Sequence, residues 1–163
     1  MDWEAVDTAN CSVQRTLGVV GEKWSLLILR DAFNGVRRFD ALRRHVGLSD
    51  AVLADRLRTL VGAGVLAVQP YREPGRRARN EYIVTPSGWE LQPVVVGLLQ
   101  WGDRHLVDAD GPPVTLQHRG CGEAAEAVVR CTAHGQVLRP AETELVAGPG
   151  LRRIQDALEA AAS

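Results

Sequence analysis

The sequence predicts an α+β fold that is mainly α. Two observations carry this. Residues 36–62 hold two short runs whose apolar side chains recur at helical spacing. Residues 65–84 hold two strand-like runs, 65–68 and 81–84, around a loop rich in proline, glycine and arginine. Two short helices followed by a basic hairpin make a winged helix-turn-helix. A third observation adds to it: apolar segments on both sides of this block predict flanking helices wide enough to meet a second subunit.

Taken in order, residues 1–16 form an arm that carries Trp3, Val6 and Cys11. Residues 17–34 predict one long buried helix, with Trp24, Leu27, Ile28 and Phe33 on one face and Leu26 and Leu29 widening it. Asn34-Gly35 is a turn. Phe39, Leu42 and Val46 share one helical face, and Gly47 ends that helix. Ser49 caps the next helix, in which Leu53, Leu57, Leu60 and Val61 point inward. Gly62 and Gly64 stop it. The hairpin loop holds Pro70, Pro74, Gly75 and four arginines, Arg72, Arg76, Arg77 and Arg79.

Thr85 caps a further helix that has Pro86 at its first position. Residues 87–107 carry Leu91, Val94, Val95, Leu98, Leu99, Trp101 and Leu106, more apolar surface than a small domain covers by itself. The excess predicts a homodimer packed through this helix. Residues 108–113 have the composition of a linker. They divide the chain into a domain over 1–107 and a small extension over 108–163. In the extension a β-hairpin, a strand at 137–140 and a terminal amphipathic helix with Leu151, Ile154, Ala157, Leu158 and Ala161 are expected.

Charge is segregated along the chain. Residues 37–79 contain ten arginines against Asp40, Asp50, Asp55 and Glu73, a local net of +6 in a chain of net −1. The remainder therefore carries −7. A basic face on an otherwise acidic protein suits a polyanion partner. The 45% hydrophobic content is enough for a core, and no apolar run is long enough to span a membrane. The acidic start Met1-Asp2-Trp3-Glu4 does not read as a signal peptide. Three cysteines, an odd number, fit a reducing cytoplasm. Lys23 is the only lysine, a compositional bias with no chemistry in it.

Double-stranded DNA is the partner these features imply. The second helix of the pair is sized for a major groove, and an arginine-tipped wing reaches phosphates or a minor groove. Ser49, Asp50, Ala51, Val52 and Arg56 lie in the first turns of that helix and are the candidates for base reading. Arg56 is the residue suited to bind guanine through two hydrogen bonds. Arg37, Arg38, Arg58, Arg72, Arg76, Arg77 and Arg79 are candidate DNA contacts of the backbone kind, which position without specifying sequence. Asp55 reads as a local salt-bridge partner on the helix. Enzyme signatures are lacking: there is no phosphate-binding glycine loop, no Gly-x-Ser-x-Gly elbow and no His-Glu-x-x-His pair.

The chain resembles the HxlR family of bacterial winged-helix regulators, which are related to the MarR group. The matching pieces are Cys11, residues 21–29 (GEKWSLLIL), 38–42 (RFDAL), 53–60 (LADRLRTL), 81–88 (EYIVTPSG) and Trp101-Gly102, in that order and spacing over residues 10–106. The resemblance implies a homodimeric transcription regulator, by default a repressor, on palindromic operators and released by an effector. It also implies that Cys11 is a redox sensor, as the N-terminal cysteine is in some members. There proline usually follows the cysteine; here Ser12 does. A sensor thiol must be partly exposed and favour its thiolate. Arg15, one helical turn on, supports that, while Glu4 and Asp7 oppose it.

Two alternatives remain beside the redox reading, and the extension carries a separate candidate metal site. Trp3, Trp24, Trp89 and Trp101 can line a pocket for a flat aromatic effector, although Trp24 and Trp101 read equally well as core. A protein-interaction module without specific DNA reading uses the same wing and tail. In the extension, His118-x-x-Cys121 and Cys131-x-x-His134 are two pairs separated by nine residues, a ligand set that suits structural zinc. The same residues also read as an ordinary hairpin with unmetallated thiols.

Overall fold

The computed structural model describes residues 2–72, 75 and 78–154. The wing-tip arginines Arg76 and Arg77 lie outside the described residues, as do Ala157, Leu158 and Ala161 of the expected terminal helix.

A 3-10 turn at Thr8–Asn10 leads into α1, Ser12–Val20, and α2, Lys23–Phe33. The arm is thus shorter than the sequence predicted, and the single helix expected over 17–34 is two. The apolar pattern runs across the break but the backbone does not. Glu22 is extended at φ −69°, ψ 126°. Gly21 presses on the turn before it, where a Cβ would lie 2.5 Å from the Leu17 carbonyl oxygen.

Helices α3, Phe39–Val46, and α4, Asp50–Gly62, form the helix-turn-helix. Gly47 closes α3 at φ 77°, a conformation that glycine reaches without strain, and its N–H donates to the Arg43 carbonyl. The Ser49 hydroxyl accepts from the Val52 N–H at 3.4 Å and caps α4.

Strand β1, Leu66–Tyr71, pairs antiparallel with β2, Arg79–Val84, from Leu66 opposite Val84 to Tyr71 opposite Arg79. Both strands extend further toward the wing tip than the apolar runs indicated. Pro70 is tolerated because β1, which pairs with β2 alone, keeps an open edge. The segment before α3 adds to the outer side of β2: Arg38 bridges to Glu81, and the Tyr82 N–H donates to the Arg37 carbonyl at 2.8 Å.

Thr85 caps α5, Pro86–Trp89, and α6 follows at Gln92–His105. The helix expected over 87–107 is therefore also divided. Pro93 has no N–H to donate to the preceding turn, so the helix restarts around it. Ile28 and Leu29 of α2, Leu42 of α3, and Leu53, Leu57 and Leu60 of α4 meet Val20, Ala32, Val65 and Leu66 in one core. Each fully buried leucine there contributes about 1.5–3 kcal/mol of transfer free energy.

The extension is built differently. No described residue after Val96 is buried. The expected hairpin resolves into two tight turns, each closed by a single bridge, Gln117 to Ala124 and Arg130 to Val137. In place of a strand at 137–140 a 3-10 turn forms at Pro140–Glu142. Strand propensity is largely side-chain packing, and Val128, Val129 and Val137 stay exposed with no face to pack on. The chain then returns to the arm, where Val6 bridges to Arg153 and the Ile154 N–H donates to the Ala5 carbonyl at 3.0 Å.

Candidate nucleic-acid interface

Helix α4 is anchored on one side and open on the other. Leu53, Leu57 and Leu60 hold it to the core, which leaves Ser49, Asp50, Ala51 and Val52 exposed in its first turn. Arg56 follows one turn later and is half-buried, and Arg58 is exposed. The five candidate readers therefore occupy consecutive turns at the N-terminal end of one helix.

Asp55 organises the arginines beside it. Arg56 donates to its Oδ2 and Arg58 Nη1 to its Oδ1 at 3.1 Å. The hydrogen bond from Arg56, then its charge, holds the Asp55 carboxyl below the ordinary carboxylate range; the Arg58 charge adds to this and slight desolvation opposes it. Arg56 is thus tethered along the helix, and a base contact requires it to share or leave that carboxylate.

The wing and α3 are joined in the same way. Arg79 pairs with Asp40 at 3.2 Å, and the Arg38 guanidinium lies 4.6 Å from the Tyr71 ring centroid. Arg38, Phe39, Asp40, Arg44, Tyr71, Arg79 and Asn80 line a shallow cavity between α3 and the wing base. Arg43 pairs with Asp50 at 3.1 Å and fixes the start of α4 against α3. Arg37 and Arg72 are exposed. Arg44, Tyr71 and Asn80, which sequence reasoning did not single out, join Arg38 and Arg79 at this cavity. The signal for them was weak: an arginine in the last turn of α3, and two polar or aromatic residues just outside the apolar strand cores.

Behind this face lies a buried carboxylate. Asp31 of α2 is 1% exposed, accepts from Arg30 at 2.8 Å and sits 2.5 Å from His45 Nδ1 of α3. The His45 side chain is otherwise open, at 64% exposure. It ties α3 to α2.

The other candidates are dispersed. Cys11 is half-buried at the N-cap of α1 and makes no side-chain capping bond. The four tryptophans have separate neighbours. Trp24 stacks under Lys23 Nζ at 4.3 Å and lines a shallow cavity with Glu22, Ala51, Val52, Asp55 and Arg56. Trp89 meets Phe33 with ring centroids 5.0 Å apart, and Trp101 meets His105 at the same separation. Trp3 is exposed, and Trp101, at 52% exposure, is not core. In the extension the structure brings His118 to Cys121 and Cys131 to His134. It does not gather three or more potential metal ligands into one group among the described residues. No helix among the described residues is long and apolar enough to cross a membrane.

Known proteins resemble this chain in sequence and fold. The chain is 43% identical over 141 residues to the HTH-type transcriptional regulator Rv3095 of Mycobacterium tuberculosis, covering 86% of this chain and 88% of that one. In a chain of 163 residues such a match must run through residues 23–141, so it takes in the extension as well as the helix-turn-helix. The solved structure of PA1607, a candidate transcription factor, is 36% identical with a TM-score of 0.74, covering 85% of this chain and 95% of that one. PA1374 from Pseudomonas aeruginosa, also a candidate transcription factor, is 35% identical with a TM-score of 0.59 and covers 86% of this chain and 94% of that one. The family described as HxlR-like helix-turn-helix matches residues 19–110, from α1 through α6 into the start of the extension. The chain is a transcriptional regulator that belongs to the HxlR-like helix-turn-helix family.

Proposed function

We propose that the protein is a homodimeric, sequence-specific DNA-binding repressor of the cytoplasm, with α4 in the major groove and the wing on the phosphates. The observation that carries this is the split character of α4. Its leucines are buried, while the turn holding Ser49, Asp50, Ala51 and Val52 is exposed, and α3 pairs with both that turn, through Arg43 and Asp50, and the wing base, through Asp40 and Arg79. Arg56, turned away from Asp55, reads guanine; Arg37, Arg38, Arg58, Arg72 and Arg79 neutralise phosphates. The wing-tip Arg76 and Arg77 belong to the same basic run in sequence.

Dimerisation rests on α1 and α6. Val13 and Leu17 of α1 are exposed, as are Val94, Leu98 and Trp101 of α6. On α6 these residues recur at helical spacing, and an exposed apolar helix face of this kind marks a protein interface. A two-fold dimer presents two α4 helices to successive major grooves, about 34–36 Å apart. The effector acts by changing that spacing.

Footprinting on the DNA upstream of the protein's own gene tests the reading. The expected result is two symmetric protected half-sites about 10 base pairs apart, bound by two chains. Protection without sequence preference contradicts it and favours a protein-interaction module.

A further inference from the structure

The extension poses a physical problem. Residues 106–154 include no buried residue, and Val114, Val128, Val129, Val137, Leu145 and Val146 are all exposed. A segment of this size without a core needs another device to hold one conformation. We propose that His118, Cys121, Cys131 and His134 bind one four-coordinate zinc ion, which closes the two turns of the extension onto each other.

The two turns are built alike. The first runs His118-Arg119-Gly120-Cys121-Gly122 and the second Cys131-Thr132-Ala133-His134-Gly135. In each, the final glycine donates its N–H to the carbonyl of the first ligand residue, at 2.8 Å in both. In each, that glycine is left-handed, with φ 78° at Gly122 and 69° at Gly135. In each, the N–H of the first ligand residue donates across the turn, from His118 to Glu123 at 2.8 Å and from Cys131 to Gln136 at 2.9 Å. The backbone thus repeats one frame, ligand-x-x-ligand-Gly, with histidine and cysteine exchanged.

That frame aims both side chains at one point. His118 Nδ1 lies 3.2 Å from Cys121 Sγ, and Cys131 Sγ lies 3.4 Å from His134 Nδ1. A tetrahedral zinc with usual Zn–N and Zn–S bonds holds its nitrogen and sulfur ligands about 3.6 Å apart. Each pair is therefore set close to one edge of the coordination tetrahedron. Gly120 leaves room for the His118 ring, because a Cβ there would lie 2.8 Å from Cε1. Two thiolates and two imidazoles select zinc over the hard cations. The pairs stand apart among the described residues, so loading draws the turns together across residues 122–130.

The ion also fixes what the extension holds. Gln100 of α6 donates to the Ala125 carbonyl at 3.2 Å and accepts from the Ala127 N–H at 3.1 Å, between the two turns. The far end of the extension pairs with the arm before α1. A closed extension straps α6 to that arm.

The test is metal analysis of the full-length, untagged chain, reduced and then exposed to Zn²⁺ or Co²⁺ alone. About one equivalent per chain is expected, with the visible absorption of tetrahedral, thiolate-bound cobalt. Cys121→Ser and Cys131→Ser each weaken binding at least about tenfold, whereas Cys11→Ser, the third thiol, retains the ion. His134→Cys keeps the ion and adds a third thiolate to the cobalt spectrum. Less than about a tenth of an equivalent after loading wild type overturns the proposal. So does a Cys121→Ser/Cys131→Ser double variant that keeps a full equivalent.

Discussion

Leu42, Leu53, Leu57 and Leu60 of the helix-turn-helix lobe close around Ile28 and Leu29, while Val114, Val128, Val129 and Val137 of the extension all face solvent. Both regions are rich in branched apolar residues. What separates them is whether those residues recur at a spacing that gathers them on one face. In the lobe they do, and packing alone specifies a structure. In the extension they do not, and order must come from turn geometry and from hydrogen bonds to α6 and the arm, to which the proposed zinc ion would add. The lobe's surface is free to carry charge because its interior already holds it together.

The largest expected effect breaks the lobe. Leu57→Ala removes buried methyls from the core and should destabilise the protein by about 2–5 kcal/mol in urea denaturation. Val129→Ala, the same kind of truncation in the extension, should shift stability by less than about 0.5 kcal/mol. Equal losses at the two sites would erase the distinction.

A smaller effect probes the polar seam between α2 and α3. His45→Ala leaves the buried Asp31 carboxylate with Arg30 but without its second partner. A loss of about 1–3 kcal/mol is expected by denaturation. A neutral result would mean that the exposed imidazole contributes nothing.

The wing separates electrostatics from stability. Arg79→Ala should leave folding unchanged within about 0.5 kcal/mol. It should weaken binding to all duplexes alike and reduce the slope of log affinity against log salt by about 1. An unaltered slope would place Arg79 away from the phosphates, paired with Asp40 alone.

The smallest effect is a titration. The Asp55 carboxyl should titrate below the ordinary 3.8 of aspartate, because Arg56 favours its charged form. Since its folded value is depressed, the stabilisation is present above the ordinary value and is lost as the pH falls through the lowered one. NMR of the Asp55 side chain should show the midpoint rising in Arg56→Ala. A midpoint that does not move would mean that Arg56 is not its main partner.

The helix-turn-helix was legible because its signals are local. Phe39, Leu42 and Val46 mark a face, Gly47 and Ser49 mark the turn, and the leucines of α4 mark the next face. The breaks at Gly21-Glu22 and before Pro93 were obscured because apolar side chains continue across them, and periodicity is blind to a local change of backbone. The strand ends at Tyr71 and Arg79 were missed since hairpin register, not composition, extends the pairing there. Asp31 was a signal left unused: a lone acid within an apolar helix needs a partner, and His45 supplies it from another helix. The tryptophans could not be placed from spacing, because each takes its neighbour from packing between elements.

The measurement closest to the central claim is a salt series of fluorescence anisotropy on DNA from the protein's own upstream region, with a scrambled duplex and Arg56→Ala as controls. The account predicts tight binding that prefers the native duplex and that Arg56→Ala weakens by about 1–3 kcal/mol. Weak binding, equal on both duplexes and abolished by salt, would contradict it and reduce the arginine face to an electrostatic patch.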